Sequence, residues 1–201
     1  MRDALLFFKN FLTHPTRVGS LLPSSPHLVS DMLAEIDFAS ARLIVEYGPG
    51  TGVFTEELIR RLHPEARLVC IELGDEFHSD LTGRYADPRV TFVHGSAAEV
   101  RRHLATLGLG APDTVVSGLP FTSLPDQVRH EILRETCHVM RPEGLFLLYQ
   151  YTRYMTGHLE RYFSDIRAGW TLLNVPPAHR FACRAPRLGD PAAQPTGAAT
   201  V

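Results

Sequence analysis

Lysine is almost missing from this chain: Lys9 is the only one, and arginine carries every other positive charge. Cysteine is scarce too. Cys70, Cys137 and Cys183 are three in 201 residues and lie far apart. An odd count without close pairs excludes a disulfide framework, and no metal-knuckle spacing is present. A reducing cytoplasm is the expected setting. Charge of one sign is lacking as well. The formal net charge is -2, so no overall field draws nucleic acid or anionic lipid, and any such attraction must be local. No run approaches the roughly 18 apolar residues that a membrane span needs. The apolar start, Met1 to Leu12, is broken by Lys9 and Asn10 and has no small-residue cleavage site, which argues against a secretory leader. There is no internal repeat. The length suits one domain with a full hydrophobic core.

What is present is alternation. Strands are predicted at Arg42–Tyr47, Arg67–Leu73, Arg89–His94, Asp113–Ser117 and Leu145–Thr152. Helices fall between them at Val53–Leu62, Asp75–Tyr85, Ala97–Leu107 and Pro125–Met140. Such alternation implies parallel strands with helical crossovers, an open α/β sheet covered on both faces. Two further strands, Thr171–Val175 and His179–Arg184, flank Pro176-Pro177 and are close enough to pair only antiparallel. The expected fold is therefore α/β and Rossmann-like: a seven-stranded, mostly parallel sheet with a C-terminal antiparallel hairpin. It resembles that of class I methyltransferases. Helices are expected ahead of the sheet, at Asp3–Leu12 and Pro26–Ile36, the second capped by Ser25. The parsing is 1–40 N-terminal helices, 41–185 the main domain, and 186–201 a disordered tail rich in Ala, Gly, Pro and Thr.

The first strand runs into Glu46-Tyr47-Gly48-Pro49-Gly50-Thr51-Gly52, and a helix follows. Glycines there permit a tight turn and close approach of a ligand, beyond the carboxyl ends of the strands. The third glycine comes one residue early for a dinucleotide fingerprint, and the Gly-Lys-Ser/Thr of a phosphate loop is absent. S-adenosylmethionine, which carries no phosphate, fits better. Glu46 suits its amino acid end. Glu72, closing the second strand, suits a ribose diol, because an ionised carboxylate accepts two hydrogen bonds.

These segments resemble one family: the bacterial phospholipid N-methyltransferases, relatives of the rRNA adenine dimethylases. The resemblance is carried by Phe11-Leu12 with Pro15, Val18-Gly19-Ser20, Pro23-Ser24-Ser25 and the glycine turn with Val53-Phe54-Thr55. Ser117-Gly118-Leu119-Pro120-Phe121, Tyr149-Gln150-Tyr151 and Asn174-Val175-Pro176-Pro177-Ala178 complete it. It implies that Gly19, Ser20, Glu46, Tyr47, Gly48, Gly50, Thr51, Gly52, Glu72, Leu73, Gly95, Ser96, Ala97 and Ser117 line the cofactor site. At Ser96 related enzymes usually carry Asp, which holds the adenine amino group. A second reading makes Ser96 a helix cap reaching the Glu99 amide.

The acceptor side falls on Ser117 to Phe121, Tyr149 and Tyr151. The adenine dimethylases carry Asn-(Leu/Pro)-Pro-(Tyr/Phe) here, whereas this chain has Gly118 in place of the Asn. The Leu119-Pro120 backbone remains as an acceptor for an amine and Phe121 as an aromatic wall, unless Phe121 is simply core. Tyr149 and Tyr151, on one face of their strand with Gln150 opposite, either line an amine pocket or pack the strand. The resemblance implies methylation of the phosphatidylethanolamine amine, up to three times, towards phosphatidylcholine. If that amine titrates like lysine, near ~10.4, losing its proton at neutral pH costs on the order of 4–5 kcal/mol, which a dehydrated pocket would lower.

Asp3–Leu12 offers a wide apolar face with Arg2 and Lys9 beside it and Arg17 following. It is either a membrane-interface helix or a lid over the cofactor. Peripheral association with the inner face of the cell membrane, a phospholipid partner, no metal and no nucleic acid are the expectations. An RNA adenine or other small-amine methyltransferase, and a non-catalytic cofactor- or membrane-binding protein, are the alternatives.

Overall fold

A computed structural model describes residues 24–187. The predicted Asp3–Leu12 helix, Gly19, Ser20 and most of the expected tail lie outside them. Helix α1 (Pro26–Leu33) begins where Ser25 Oγ accepts the Leu28 amide and Pro26 fixes the first turn. Its apolar residues Leu28, Val29, Met32 and Leu33 fall on one face and are buried, as the 3.6-residue period requires.

Then come β1 (Leu43–Tyr47), α2 (Val53–Arg61), β2 (Arg67–Glu72), α3 (Asp75–Arg84), β3 (Val90–His94), α4 (Val100–Thr106) and β4 (Thr114–Ser117). The chain continues through α5 (Asp126–Val139), β5 (Leu145–Gln150), α6 (Thr156–Leu159), β6 (Phe163–Thr171) and β7 (Ala178–Pro186). All seven strands form one sheet in the order β3-β2-β1-β4-β5-β7-β6. Strands β1 to β5 are parallel, and β7 runs antiparallel to both β5 and β6. The fold expected from the sequence is the one observed.

The central strands β1, β2, β4 and β5 are almost wholly buried because helices cover both faces. Alternate residues feed two cores. Val45, Tyr47, Val115, Phe146 and Leu148 pack with α4 and α5 on one face. Ile44, Leu68, Cys70, Val116 and Leu147 pack with α1 and α2 on the other. Cys70, expected in the core, is there, and all three cysteines are free and buried. No helix among the described residues is long and apolar enough to cross a membrane.

One element differs from expectation. The first hairpin strand is Phe163–Thr171, not Thr171–Val175. Its Ser164, Asp165, Arg167, Ala168 and Gly169 lack strand-like alternation, because β6 is an edge strand held by its ladder to β7 rather than by a buried face. The apolar residues Leu172, Leu173 and Val175, which look like strand, form the turn instead and are exposed. Pro186, assigned to the tail, ends β7.

The sheet order reverses between β1 and β4, whose last residues Tyr47 and Ser117 are register partners. Ligands in open α/β sheets bind at this switch point, beyond the carboxyl ends of the strands.

Candidate functional site

The turn after β1 and the loop after β4 emerge side by side and fit together through their backbones. Gly118 N donates to Tyr47 O at 2.9 Å, and Gly48 N to Ile71 O at 2.9 Å. A Cβ on Gly118 would lie 2.8 Å from Gly48 O, and one on Gly48, where φ is +61°, would lie 2.6 Å from Leu119 Cδ2. At Gly118 the obstacle is backbone, whereas at Gly48 it is the flexible end of Leu119 and the positive φ is what calls for glycine. Gly50 is the opposite case: φ is +55°, yet among the described residues nothing lies within 4 Å of its absent Cβ. The turn is thus packed tightly against the protein on one side and open at Gly50 on the other.

Glu72 ties this turn to the end of β2. Its carboxylate accepts the Gly50 amide at 3.1 Å through Oε2 and the Gly74 amide at 2.7 Å through Oε1. The side chain is 2% exposed. Burial raises its pKa, and the backbone amides partly offset that. Glu46 is equally buried on the other side of the turn. Its Oε2 accepts from Thr55 Oγ1 at 2.7 Å and from Cys70 Sγ at 3.4 Å. Burial lifts its pKa to about 7, with repulsion from Glu72 adding to the rise. Two carboxylates that are costly to ionise together favour a cationic ligand, which would lower both pKa values at once.

The remaining predicted residues divide into those at the site and those in the core. The Tyr47 side chain is fully buried and its hydroxyl meets Thr136 Oγ1 at 3.2 Å, so only its backbone faces the turn. Thr51 is exposed and its carbonyl accepts from Arg84, while Gly52 opens α2. Leu73 is half-buried beside Glu72. Gly95 N donates to Glu72 O at 2.9 Å. Ser96 Oγ accepts the Ala98 amide at 3.2 Å rather than that of Glu99, because a tight 3-10 turn at Ala97–Glu99 precedes α4. Ala97 is buried there.

The β4 loop is held from below. Ser117 Oγ accepts the Leu119 amide at 3.2 Å. Leu119 is buried, and Gly118 and Pro120 are half-buried. Phe121 is fully buried, edge-on to Phe146 at 6.3 Å, and is core packing in this structure. Tyr149 and Tyr151 lie on the other face, with Phe54 stacked on Tyr149 at 5.8 Å and Ser24 Oγ bonded to the Tyr149 hydroxyl at 2.9 Å. The structure therefore brings Glu46, Phe54, Tyr149 and Tyr151 to one face of the sheet and sets Phe121 on the opposite one.

Three residues that sequence reasoning missed hold these parts. Gln150 donates from Nε2 to Leu119 O at 2.9 Å and accepts the Thr122 amide at 3.3 Å. Arg129, 3% exposed, donates to Phe121 O and Leu124 O, each at 2.8 Å. His103 covers Gly95 and meets Ser96 O at 3.2 Å. A glutamine and an arginine on otherwise apolar, buried faces are the signal that could have found the first two. Among the described residues no cluster of His, Cys, Asp or Glu is arranged to hold a metal.

A family model for the methyltransferase domain matches residues 44–144, about half the chain. The chain is 33% identical over 191 residues to the ornithine lipid N-methyltransferase of Singulisphaera acidiphila, covering 92% of this chain and 97% of that protein. This chain belongs to the class I S-adenosylmethionine-dependent methyltransferases. It is also 32% identical over 105 residues to the ribosomal RNA small subunit methyltransferase A of Aromatoleum aromaticum, spanning 52% of this chain but only 37% of that protein. Among solved structures, the Streptomyces achromogenes O-methyltransferase TomG, in complex with its methyl donor, superposes with a TM-score of 0.62. It is 18% identical, over 91% of this chain and 90% of that one. The methyltransferase uses S-adenosylmethionine, and the open space at Gly50, flanked by two buried carboxylates, fits that cationic group.

Two outcomes are expected. Gly50→Val fills the open space and forces a β-branched residue to positive φ. The folded variant, checked by circular dichroism, should bind S-adenosylmethionine at least about a hundredfold more weakly by calorimetry; unchanged affinity would place the ligand elsewhere. The second concerns Glu46 and pH. Its folded pKa, about 7, exceeds its ordinary 4.5, so the native state holds the proton more tightly than the unfolded chain. Its contribution is favourable below pH 4.5 and is lost as pH rises to 7. Glu46→Gln should therefore gain, relative to the parent, about 3 kcal/mol between those limits. Parallel denaturant curves for the cofactor-free proteins test it, and a constant difference across that window would refute the shift.

Proposed function

We propose that this methyltransferase transfers the methyl group to the primary amine of a membrane lipid at the inner surface of the cell membrane. Phosphatidylethanolamine is the acceptor we infer, with successive transfers leading towards phosphatidylcholine. The observation that carries the reading is similarity to a lipid N-methyltransferase over 97% of that protein's length. The rRNA methyltransferase, by contrast, is matched over little more than a third of its length. Gly118 supports the same choice. A Cβ there would meet Gly48 O, so the Asn side chain found in the adenine dimethylases has no room, and a flat base loses its hydrogen-bond partner.

The cofactor supplies a methyl group already activated on a sulfonium, so the protein chiefly aligns the reactants. Glu46, Glu72 and the Gly50 amide would hold the donor. The Leu119-Pro120 backbone would receive the lipid amine: Leu119 O is taken up by Gln150 Nε2 and the Phe121 amide, whereas Pro120 O accepts the Ser123 amide and keeps a second lone pair, since a carbonyl accepts two hydrogen bonds. Burial raises the pKa of both Tyr149 and Tyr151, so neither serves as a base at neutral pH. Their rings instead offer aromatic faces that favour the methylated ammonium. Asp3–Leu12, outside the described residues, is proposed to bring the enzyme to the bilayer.

A second acceptor, ornithine lipid, is favoured by the name of the relative itself. The test is incubation of purified protein with labelled S-adenosylmethionine and vesicles containing either lipid, followed by extraction and mass spectrometry. Label should enter the lipid phase as an N-methylated head group. If neither lipid gains a methyl group while the cofactor still binds, the proposal is wrong.

A further inference from the structure

The turn between β6 and β7 inverts the usual placement of polar and apolar residues. Leu172, Leu173 and Val175 are 73%, 67% and 74% exposed, and Trp170, at the end of β6, is 52% exposed. The polar residue among them, Asn174, is 2% exposed. Its Oδ1 accepts the Ser25 amide at 2.9 Å and its Nδ2 donates to Pro176 O at 2.7 Å. Beside it, Thr171 Oγ1 donates to Asp31 at 2.6 Å. Polar anchors thus dock the turn on α1 while its large apolar side chains face outward, an exposed apolar patch of the kind that marks an interaction site.

We propose that this hairpin tip enters the apolar side of a bilayer interface and seats the active site against the membrane. The choice of a bilayer rests on the lipid acceptor proposed above, and four observations support it. Leu172, Leu173 and Val175, each about two-thirds or more exposed, stand out together on one narrow turn, a shape that a fluid bilayer accommodates. The tip half of the hairpin, residues 166–180, carries Arg167 and Arg180 and no Asp or Glu; Arg180 lies 3.7 Å from Asp31, which leaves Arg167 to meet anionic head groups. The first residues of β7 pair with the end of β5, His179 opposite Gln150, and Gln150 holds Leu119 O. The tip therefore adjoins the acceptor loop. The described chain also begins at Ser24-Ser25, bonded to Tyr149 and Asn174, so the apolar N-terminal sequence joins the fold beside the same tip.

Trp170 is the only tryptophan, which makes the tip its own reporter. Full-length protein is titrated with phosphatidylethanolamine–phosphatidylglycerol vesicles, with and without acyl chains brominated near the head group. Trp170 emission should shift to the blue and be quenched by the brominated lipid. The double variant Leu172→Asp, Leu173→Asp should lose partitioning by about tenfold or more, with S-adenosylmethionine affinity and circular dichroism unchanged. Emission that stays constant while the protein cosediments with vesicles would overturn the proposal, as would undiminished binding by the double variant. Two lipid-free results would also overturn it: a dimer that the double variant dissociates, assigning the tip to a second copy, or a red shift on deleting Met1–Leu12, assigning it to the chain's own start. Quenching of Trp170 with no lipid methylated would keep this surface and remove the proposed function. Full methylation of vesicle lipid by the double variant would keep the function and remove the surface.

Discussion

Two backbones cross at the switch point of the sheet with no side chain between them. Gly118 leaves β4 against the carbonyl of Gly48, and Gly48 leaves β1 against Leu119. The parallel register of Tyr47 with Ser117 brings the two loops together, and glycine lets them close, at Gly118 for space and at Gly48 for its positive φ. Everything assigned to the site follows from that contact. It orients Gly50 towards open space, where its amide meets Glu72. It also fixes the β4 loop, whose Leu119 carbonyl is held by Gln150 and by the Phe121 amide. The same contact leaves no room for a Cβ at position 118, which would lie 2.8 Å from Gly48 O.

The electrostatics follow from burial. Glu46 and Glu72 are each 2% exposed, and both are harder to ionise than a surface acid. Such a pair is unfavourable in the empty protein and would be stabilised by a cation beside it. The methylated product is also cationic, and the aromatic rings of Phe54, Tyr149 and Tyr151 lie on the face that Glu46 shares.

Much of this was legible in the sequence where local chemistry decides the structure. The β-branched runs, the glycine turn and the Ser25 cap gave the mostly parallel sheet, the start of the first described helix and the cofactor. What was not legible depends on long-range pairing. Strand β6 has little pattern of its own and exists because β7 offers it a ladder, so its limits were misplaced into the turn. Gln150 and Arg129 act on backbone carbonyls 31 and 8 residues away in sequence, a relation no spacing rule reveals. Phe121 could be wall or core from its motif alone, and the packing of Phe146 and the turn of the β4 loop put it in the core. Leu172, Leu173 and Val175 were read as strand for their apolar character, and exposure gives that character another meaning.

The central claim is that the crossing of Gly48 and Gly118 forms the cofactor site. The most direct measurement is the calorimetric affinity of S-adenosylhomocysteine for Gly118→Ala, with circular dichroism and denaturant unfolding to show that the variant is folded. A single methyl at that position must displace the Gly48 carbonyl and with it the turn, so affinity should fall by about tenfold or more. A folded Gly118→Ala protein that binds the product cofactor as tightly as the parent would contradict the account.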